Sequence, residues 1–292
     1  MSRRFTAAVV QTTSARDVAP TMAAVGDLVR RARDQGADFI STPEVVGMLE
    51  PRRALVLEKA EPEESHSALA AFRDLARETG AWLQAGSLVV RLAPDRLANR
   101  SFLLSPAGDV VASYDKIHMF DVDLGEGERY LESRTYRPGE QAVTADLPWG
   151  RLGMTICYDM RFPYLYRDLA KAGAEILAVP SAFTVPTGRA HWHVLLRARA
   201  IETGCFVIAA AQVGEHAEGR KTYGHSLIID PWGEVLADAG GDAPGVVLAE
   251  IDLARVEEVR RKVPSLGHDR AYAPPEAAVA AASGASGAAA AE

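Results

Sequence analysis

The sequence predicts an α/β fold in which crossover helices cover β-sheets. Three observations carry that reading. Strand-like and helix-like segments alternate along most of the chain, glycines close the helical segments, and two compact turns join short apolar runs as hairpins.

Phe5 to Val10 is an apolar run that reads as a buried strand. Val18 to Gln35 has helical spacing and stops at Gly36. A short strand, Ala37 to Ser41, is cut off by Thr42-Pro43 just before Glu44. His66 to Thr79 is a second helix, closed by Gly80. Trp82 to Leu92, Ser101 to Leu104 and Val110 to Tyr114 read as strands, and the turn Ser105-Pro106-Ala107-Gly108-Asp109 joins the last two. From Lys116 to Gly139 no periodicity survives. This segment carries Asp121, Asp123, Glu126, Glu128 and Glu132, and reads either as a functional loop or as a solvated acidic surface.

Strands return at Ala142 to Asp146 and Leu152 to Ile156. A helix from Pro163 to Ala172, a strand from Glu175 to Val179 and a helix from Ala190 to Thr203 follow. Cys205 to Gln212, His225 to Asp230 and Val246 to Ile251 are further strands. Asp230-Pro231-Trp232-Gly233 is a hairpin turn, and Asp252 is placed to cap a last helix. With no repeat and no linker, one domain is expected over 1–273. The Pro-, Ala-, Gly- and Ser-rich stretch 274–292 has nothing large to bury and is expected to be a mobile tail.

The 292 residues suffice for a substantial core, and 48% hydrophobic with 24% charged residues is an ordinary globular composition. No apolar run reaches the length of a membrane span. The opening MSRRFTAAVVQTT has two arginines, but its apolar stretch ends at Gln11, too short for a secretion signal; a cytoplasmic protein is expected. A net charge of −7 without a basic stripe argues against nucleic-acid binding. The two cysteines, Cys157 and Cys205, exclude a disulfide framework. Of the 32 basic residues only Lys59, Lys116, Lys171, Lys221 and Lys262 are lysines, which singles out Lys116 in its aromatic and acidic surroundings.

Cys157 ends a strand and precedes the turn Tyr158-Asp159-Met160-Arg161-Phe162-Pro163, after which a helix begins. Such a bend can expose a nucleophile and aim backbone N–H groups at an oxyanion. A buried structural thiol is the competing reading, and it is the better one for Cys205 inside Cys-Phe-Val-Ile-Ala-Ala. No histidine is well placed as the base. His225 and Ser226, followed by Asp230, hint at a serine triad, but neighbouring strand residues face opposite ways. His191 and His193 hint at a metal, yet no Cys or carboxylate near them in sequence completes a site, and no metal or cofactor is expected.

Thr42-Pro43-Glu44, Tyr114-Asp115-Lys116-Ile117-His118-Met119-Phe120-Asp121 and Ile156-Cys157-Tyr158-Asp159-Met160-Arg161-Phe162-Pro163 resemble the three signature regions of nitrilase-superfamily carbon–nitrogen hydrolases, in the family's order. The resemblance runs from about Thr6 to Tyr272. Pro180-Ser181-Ala182-Phe183, Ala190-His191-Trp192, Tyr223-Gly224-His225-Ser226 and Asp230-Pro231-Trp232-Gly233 are similar to the Nit branch. His193, where relatives usually carry Glu, and the loop Thr184-Val185-Pro186 depart from its pattern.

The resemblance implies a four-layer αββα sandwich, commonly paired as a homodimer through helices near the nucleophile. It implies an amidase working through a cysteine thioester, with Cys157 as nucleophile, Glu44 as acid/base, Lys116 and the Tyr158 N–H as oxyanion donors, and Glu132 holding Lys116. Arg161 matches a carboxylate-binding arginine, and Phe183 and Thr187 match positions lining the same pocket. The implied substrate is a small 2-oxo acid amide, deaminated glutathione ahead of 2-oxoglutaramate. Another small-amide or N-carbamoyl hydrolase, and a non-catalytic scaffold, are the alternatives.

Overall fold

The computed structural model describes residues 3–125 and 129–275. Glu126, Glu128 and nearly all of the expected tail lie outside the described residues. The first half runs through β1 (Arg4–Gln11), α1 (Val18–Asp34), β2 (Phe39–Ser41), α2 (Arg53–Lys59), α3 (Ser67–Thr79), β3 (Trp82–Ala93), β4 (Arg96–Leu104) and β5 (Val110–Asp115). Two short strands, β6 (Asp121–Asp123) and β7 (Arg129–Leu131), pair as an outlying ribbon. The second half comprises β8 (Val143–Asp146), β9 (Arg151–Met154), α4 (Pro163–Lys171), β10 (Ile176–Ala178), α5 (Val185–Thr203) and β11 (Phe206–Ala209). There follow β12 (Val213–Glu215), β13 (Lys221–Tyr223), β14 (Leu227–Ile229), β15 (Val235–Asp238), β16 (Gly245–Asp252) and α6 (Ala254–Lys262).

Two six-stranded sheets form, in the orders β16-β1-β2-β3-β4-β5 and β15-β14-β11-β10-β9-β8. The side-chain alternation of β1 explains how they stack. Phe5, Ala7 and Val9 join a core with Met154, Ile176 and Val207 of the other sheet. Ala8 and Val10 join a second core with Val25 and Val29 of α1 and Phe72 and Leu75 of α3. Leu165, Tyr166 and Leu169 of α4 and Leu196 and Ala200 of α5 cover the second sheet. The layers are therefore helix, sheet, sheet, helix: the αββα sandwich that the family resemblance implies. Burial of each large core side chain such as Phe39 or Phe72 contributes roughly 1.5–3 kcal/mol. The late strand β16 pairs along the whole of β1, from Arg4 with Asp252 to Gln11 with Gly245.

Several elements differ from the sequence reading. α2 forms where none was expected, being only two turns long, whereas β15 supplies the second strand of the hairpin at Asp230-Pro231-Trp232-Gly233. α5 begins at Val185, five residues early, since Pro186 in the first turn costs no hydrogen bond. Asp252 is not the N-cap of α6; Leu253 occupies that position, and Asp252 Oδ1 accepts the Ala254 N–H at 3.0 Å from one residue further back. The segment read as irregular contains the β6–β7 ribbon. Among the described residues no helix is long and apolar enough to cross a membrane.

Candidate active site

Three loops at the strand ends meet. β2 stops at Ser41, and the next residues carry Glu44; Val45 follows with φ +48°, a strained conformation for a β-branched residue, its N–H held by Ser87 Oγ at 2.8 Å. The close approach depends on Gly86. A Cβ there would stand 1.8 Å from the Thr42 carbonyl oxygen and 2.6 Å from Pro180 Cβ. Pro180 in turn accepts the Cys157 N–H at 2.9 Å, so one glycine lets the Glu44 loop and the Cys157 strand end come together.

Cys157 opens a 3-10 turn, Cys157–Arg161, with φ +48°. Asp159 pins this turn. Its Oδ2 accepts from the Ile156 N–H at 2.8 Å and the Tyr114 hydroxyl at 2.7 Å. Its Oδ1 accepts from the His118 N–H at 3.0 Å and lies 2.7 Å from His118 Nδ1. The buried carboxylate thus ties the Cys157 turn to the segment that carries Lys116.

Lys116 follows β5, its N–H donating to the Asn99 carbonyl at 3.0 Å. Its ammonium donates to Glu44 Oε1 at 2.9 Å and to Glu132 Oε1 and Oε2 at 3.1 and 2.9 Å. Asn99 Nδ2 bridges the same carboxylates, 2.9 Å from Glu44 and 3.2 Å from Glu132. Glu132 Oε2 also accepts the Phe120 N–H at 2.7 Å, and Glu44 Oε2 accepts the Ala182 N–H at 2.8 Å. Glu44, Lys116 and Cys157 are only 5%, 2% and 6% exposed, so their charges are set by one another.

Burial alone would push the Glu44 carboxyl up, but the charge and hydrogen bonds of Lys116 hold it below its ordinary value. Burial alone would likewise discharge Lys116; Glu132 and Glu44 overcome this and raise it well above normal. Burial, reinforced by Glu44, pushes the Cys157 thiol up, while Lys116 opposes the shift. The resting group is therefore a neutral thiol beside an ionised glutamate. This arrangement suits attack with concerted proton transfer rather than a preformed thiolate.

These groups line a cavity of about 660 Å³. Glu44, Lys116, Glu132 and Cys157, singled out in the sequence, meet there, and Phe183 and Thr187 line the same space. Tyr158 and Arg161 stand outside its lining. The Arg161 guanidinium lies over the Tyr158 and Phe183 rings at 5.7 and 5.4 Å, with Nη2 3.3 Å from His191 Nδ1. The sequence reading missed Asn99, Tyr136 and Arg220, which do line the cavity, together with Arg53, Arg129 and Arg134. Burial, with Glu132 and Glu44 nearby, pushes the Tyr136 phenol up. Cys205 is buried against the Ala174 carbonyl, and Ser226 Oγ bonds Gln11 rather than His225.

The profile of the family described as carbon–nitrogen hydrolase matches residues 6–261. A deaminated glutathione amidase of Yersinia enterocolitica is 41% identical over 266 residues, 90% of this chain and 92% of that protein. The crystal structure of the Caenorhabditis elegans NitFhit protein superposes with a TM-score of 0.86 at 36% identity; the match covers 92% of this chain and 66% of that one. The amidase from Nesterenkonia sp. AN1, solved with acrylamide added to its active-site cysteine, superposes with a TM-score of 0.74 at 26% identity over 89% of this chain and 98% of that one. With a profile match spanning most of the chain and a relative above two-fifths identity, this protein belongs to the carbon–nitrogen hydrolase family, as a hydrolase of carbon–nitrogen bonds other than peptide bonds.

Proposed function

We propose that the protein cleaves the amide of a small 2-oxo acid, deaminated glutathione first among them, through a thioester on Cys157. The observation that carries this reading is the hydrogen-bonded group Glu44–Lys116–Glu132, with the Cys157 thiol against Glu44 in the wall of one cavity. Cys157 Sγ bonds to the amide carbon while its proton passes to Glu44. The carbonyl oxygen takes up negative charge beside Lys116 and the Tyr158 N–H. The C–N bond then breaks as Glu44 delivers the proton to the departing nitrogen. Water next gives a proton to Glu44 and its oxygen to the acyl carbon, the C–S bond breaks, and that proton returns to sulfur. Free acid and amine leave. Glu132 keeps Lys116 charged and aimed throughout.

The substrate assignment draws on the Yersinia relative and on the cationic cavity mouth of Arg53, Arg129, Arg134 and Arg220, which suits a doubly carboxylated amide. Comparing kcat/KM for deaminated glutathione and 2-oxoglutaramate, with Cys157→Ala as control, tests it. A preference of about tenfold or more for deaminated glutathione supports the assignment. The reverse preference moves the protein to ω-amidase chemistry, and activity on neither overturns the reading. A cytoplasmic homodimer is also proposed, its pairing favoured by Val194 and Ile201 exposed on α5 beside exposed Trp232; light scattering of the purified chain checks the pairing.

A further inference from the structure

Away from the Cys157 cavity, α5, the turn ahead of β14 and the end of β15 bring two imidazoles and a carboxylate together. His193 Nε2 lies 3.0 Å from Asp238 Oδ2. His225 Nδ1 lies 3.0 Å from Asp238 Oδ1 and 3.1 Å from Oδ2. One ligand atom from each residue falls within 4.8 Å of the other two. The carboxylate that His193 lacks in sequence is thus supplied from 45 residues away. We propose that His193, His225 and Asp238 form a binding site for a divalent first-row cation of the zinc class.

The donor set selects the ion. Two imidazole nitrogens with one carboxylate suit zinc and its transition-metal neighbours, whereas magnesium and calcium prefer oxygen throughout. Ligands about 2.0–2.2 Å from one zinc ion stand roughly 3–3.5 Å apart. The two nitrogen-to-oxygen spacings here, 3.0 and 3.1 Å to the shared Oδ2, already match. The ligand nitrogens of the two imidazoles lie within 4.8 Å of each other, and side-chain rotation brings them onto one ion whose remaining positions water fills. The side chains of His193, His225 and Asp238 are 34%, 25% and 33% exposed, so a hydrated ion can reach them.

The surroundings hold the ligands in place. The Gly240 N–H donates to Asp238 Oδ1 at 2.8 Å, the kind of outer hydrogen bond that orients a ligating carboxylate. His225 adopts φ +55°, its N–H bonded to the Gly240 carbonyl and its own carbonyl accepting Trp192 Nε1, both at 2.7 Å. A strained backbone fixed from both sides is what keeps its ring on Asp238.

The experiment titrates zinc chloride into the untagged full chain carrying Cys157→Ala, which removes the reactive thiol as a competing ligand. Isothermal titration calorimetry and a zinc-dependent rise in Tm are the readouts. The expected result is one zinc per chain, with affinity at least about tenfold weaker in His193→Ala and in Asp238→Asn. Cobalt substituted for zinc should give visible absorption bands that either change removes. Asp238→Asn preserves side-chain shape, so a loss there does not reflect misfolding. Absence of zinc binding up to about 100 μM, or equal binding by both variants and the parent, overturns the proposal and leaves a plain hydrogen-bonded His–Asp–His group.

Discussion

Gln212 Nε2 donates a hydrogen bond to the Glu44 main-chain carbonyl at 3.0 Å, across 168 residues of sequence. The same nitrogen donates to Ser14 Oγ at 2.7 Å, while Oε1 accepts from Thr12 Oγ1 and the Ser14 N–H, both at 3.0 Å. Every bonding site of this buried amide is used. It therefore holds the loop in which Val45 is strained and from which Glu44 reaches Lys116. Gln212→Leu keeps the volume and orphans several buried partners at about 1 kcal/mol or more each. A stability loss of about 2–4 kcal/mol in urea unfolding is expected, with kcat at least about tenfold lower as Glu44 shifts. Unchanged kcat would show that the loop holds itself.

The charge state at rest fixes the pH profile. Glu44 sits below its ordinary value and the Cys157 thiol above its own. In the proposed mechanism, falling pH protonates Glu44 and removes the base, while rising pH strips the thiol of the proton that the leaving nitrogen needs. Both limbs lie far from neutrality, so kcat/KM should stay flat from about pH 6 to pH 8. Alkylation of Cys157 by iodoacetamide should show no inflection near the ordinary thiol value of about 8.5. An inflection there would mean a free thiolate is the nucleophile.

Lys116 neutralises two buried carboxylates, and Lys116→Met removes the charge while leaving most of the volume. Glu44 and Glu132 then face each other unpaired, which costs about 3–5 kcal/mol at neutral pH. In the variant the buried Glu44 carboxyl, no longer held down by Lys116, has a folded-state pKa above its unfolded value. Such a group favours the fold below the unfolded pKa and loses that contribution as pH climbs through the folded one. The stability gap between variant and parent should therefore narrow from pH 7.5 to about pH 5. Activity should fall by about 10²-fold or more at either pH. A gap independent of pH would mean the carboxylates find other partners.

What the sequence revealed divides by how local the signal is. Glu44, Lys116 and Cys157 each follow a strand inside a distinctive segment, so their motifs could be seen without the fold. The stacking of sheets could not. Phe5 to Val10 reads as one apolar run because both faces of β1 are buried, and only tertiary structure says which residues face the helices. Asn99 and Gln212 are ordinary polar residues whose partners lie 55 and 168 positions away. His193 looked incomplete as a ligand for the same reason, since Asp238 reaches it only through the β14–β15 turn.

Arg220 offers the sharpest test of specificity. Its guanidinium lies over the Tyr130 ring at 5.7 Å, and Nη2 reaches the Ala182 carbonyl at 3.4 Å. The Ala182 N–H is bound to Glu44 Oε2, so Arg220 is fixed close to the carboxylate proposed to protonate the leaving amine. Its Nε is buried without a hydrogen-bond acceptor among the described residues, and the side chain lines the Cys157 cavity. A planar cation so placed can hold a carboxylate carried by the leaving amine. Arg220→Ala should raise KM for deaminated glutathione about tenfold or more with a smaller effect on kcat. Hydrolysis of 2-oxoglutaramate, whose leaving group is ammonia, should change little. Lysine at this position keeps the charge but not the fork, and should restore only part of the loss. Equal damage to both substrates would instead place Arg220 on the acyl half, beside the 2-oxo carboxylate.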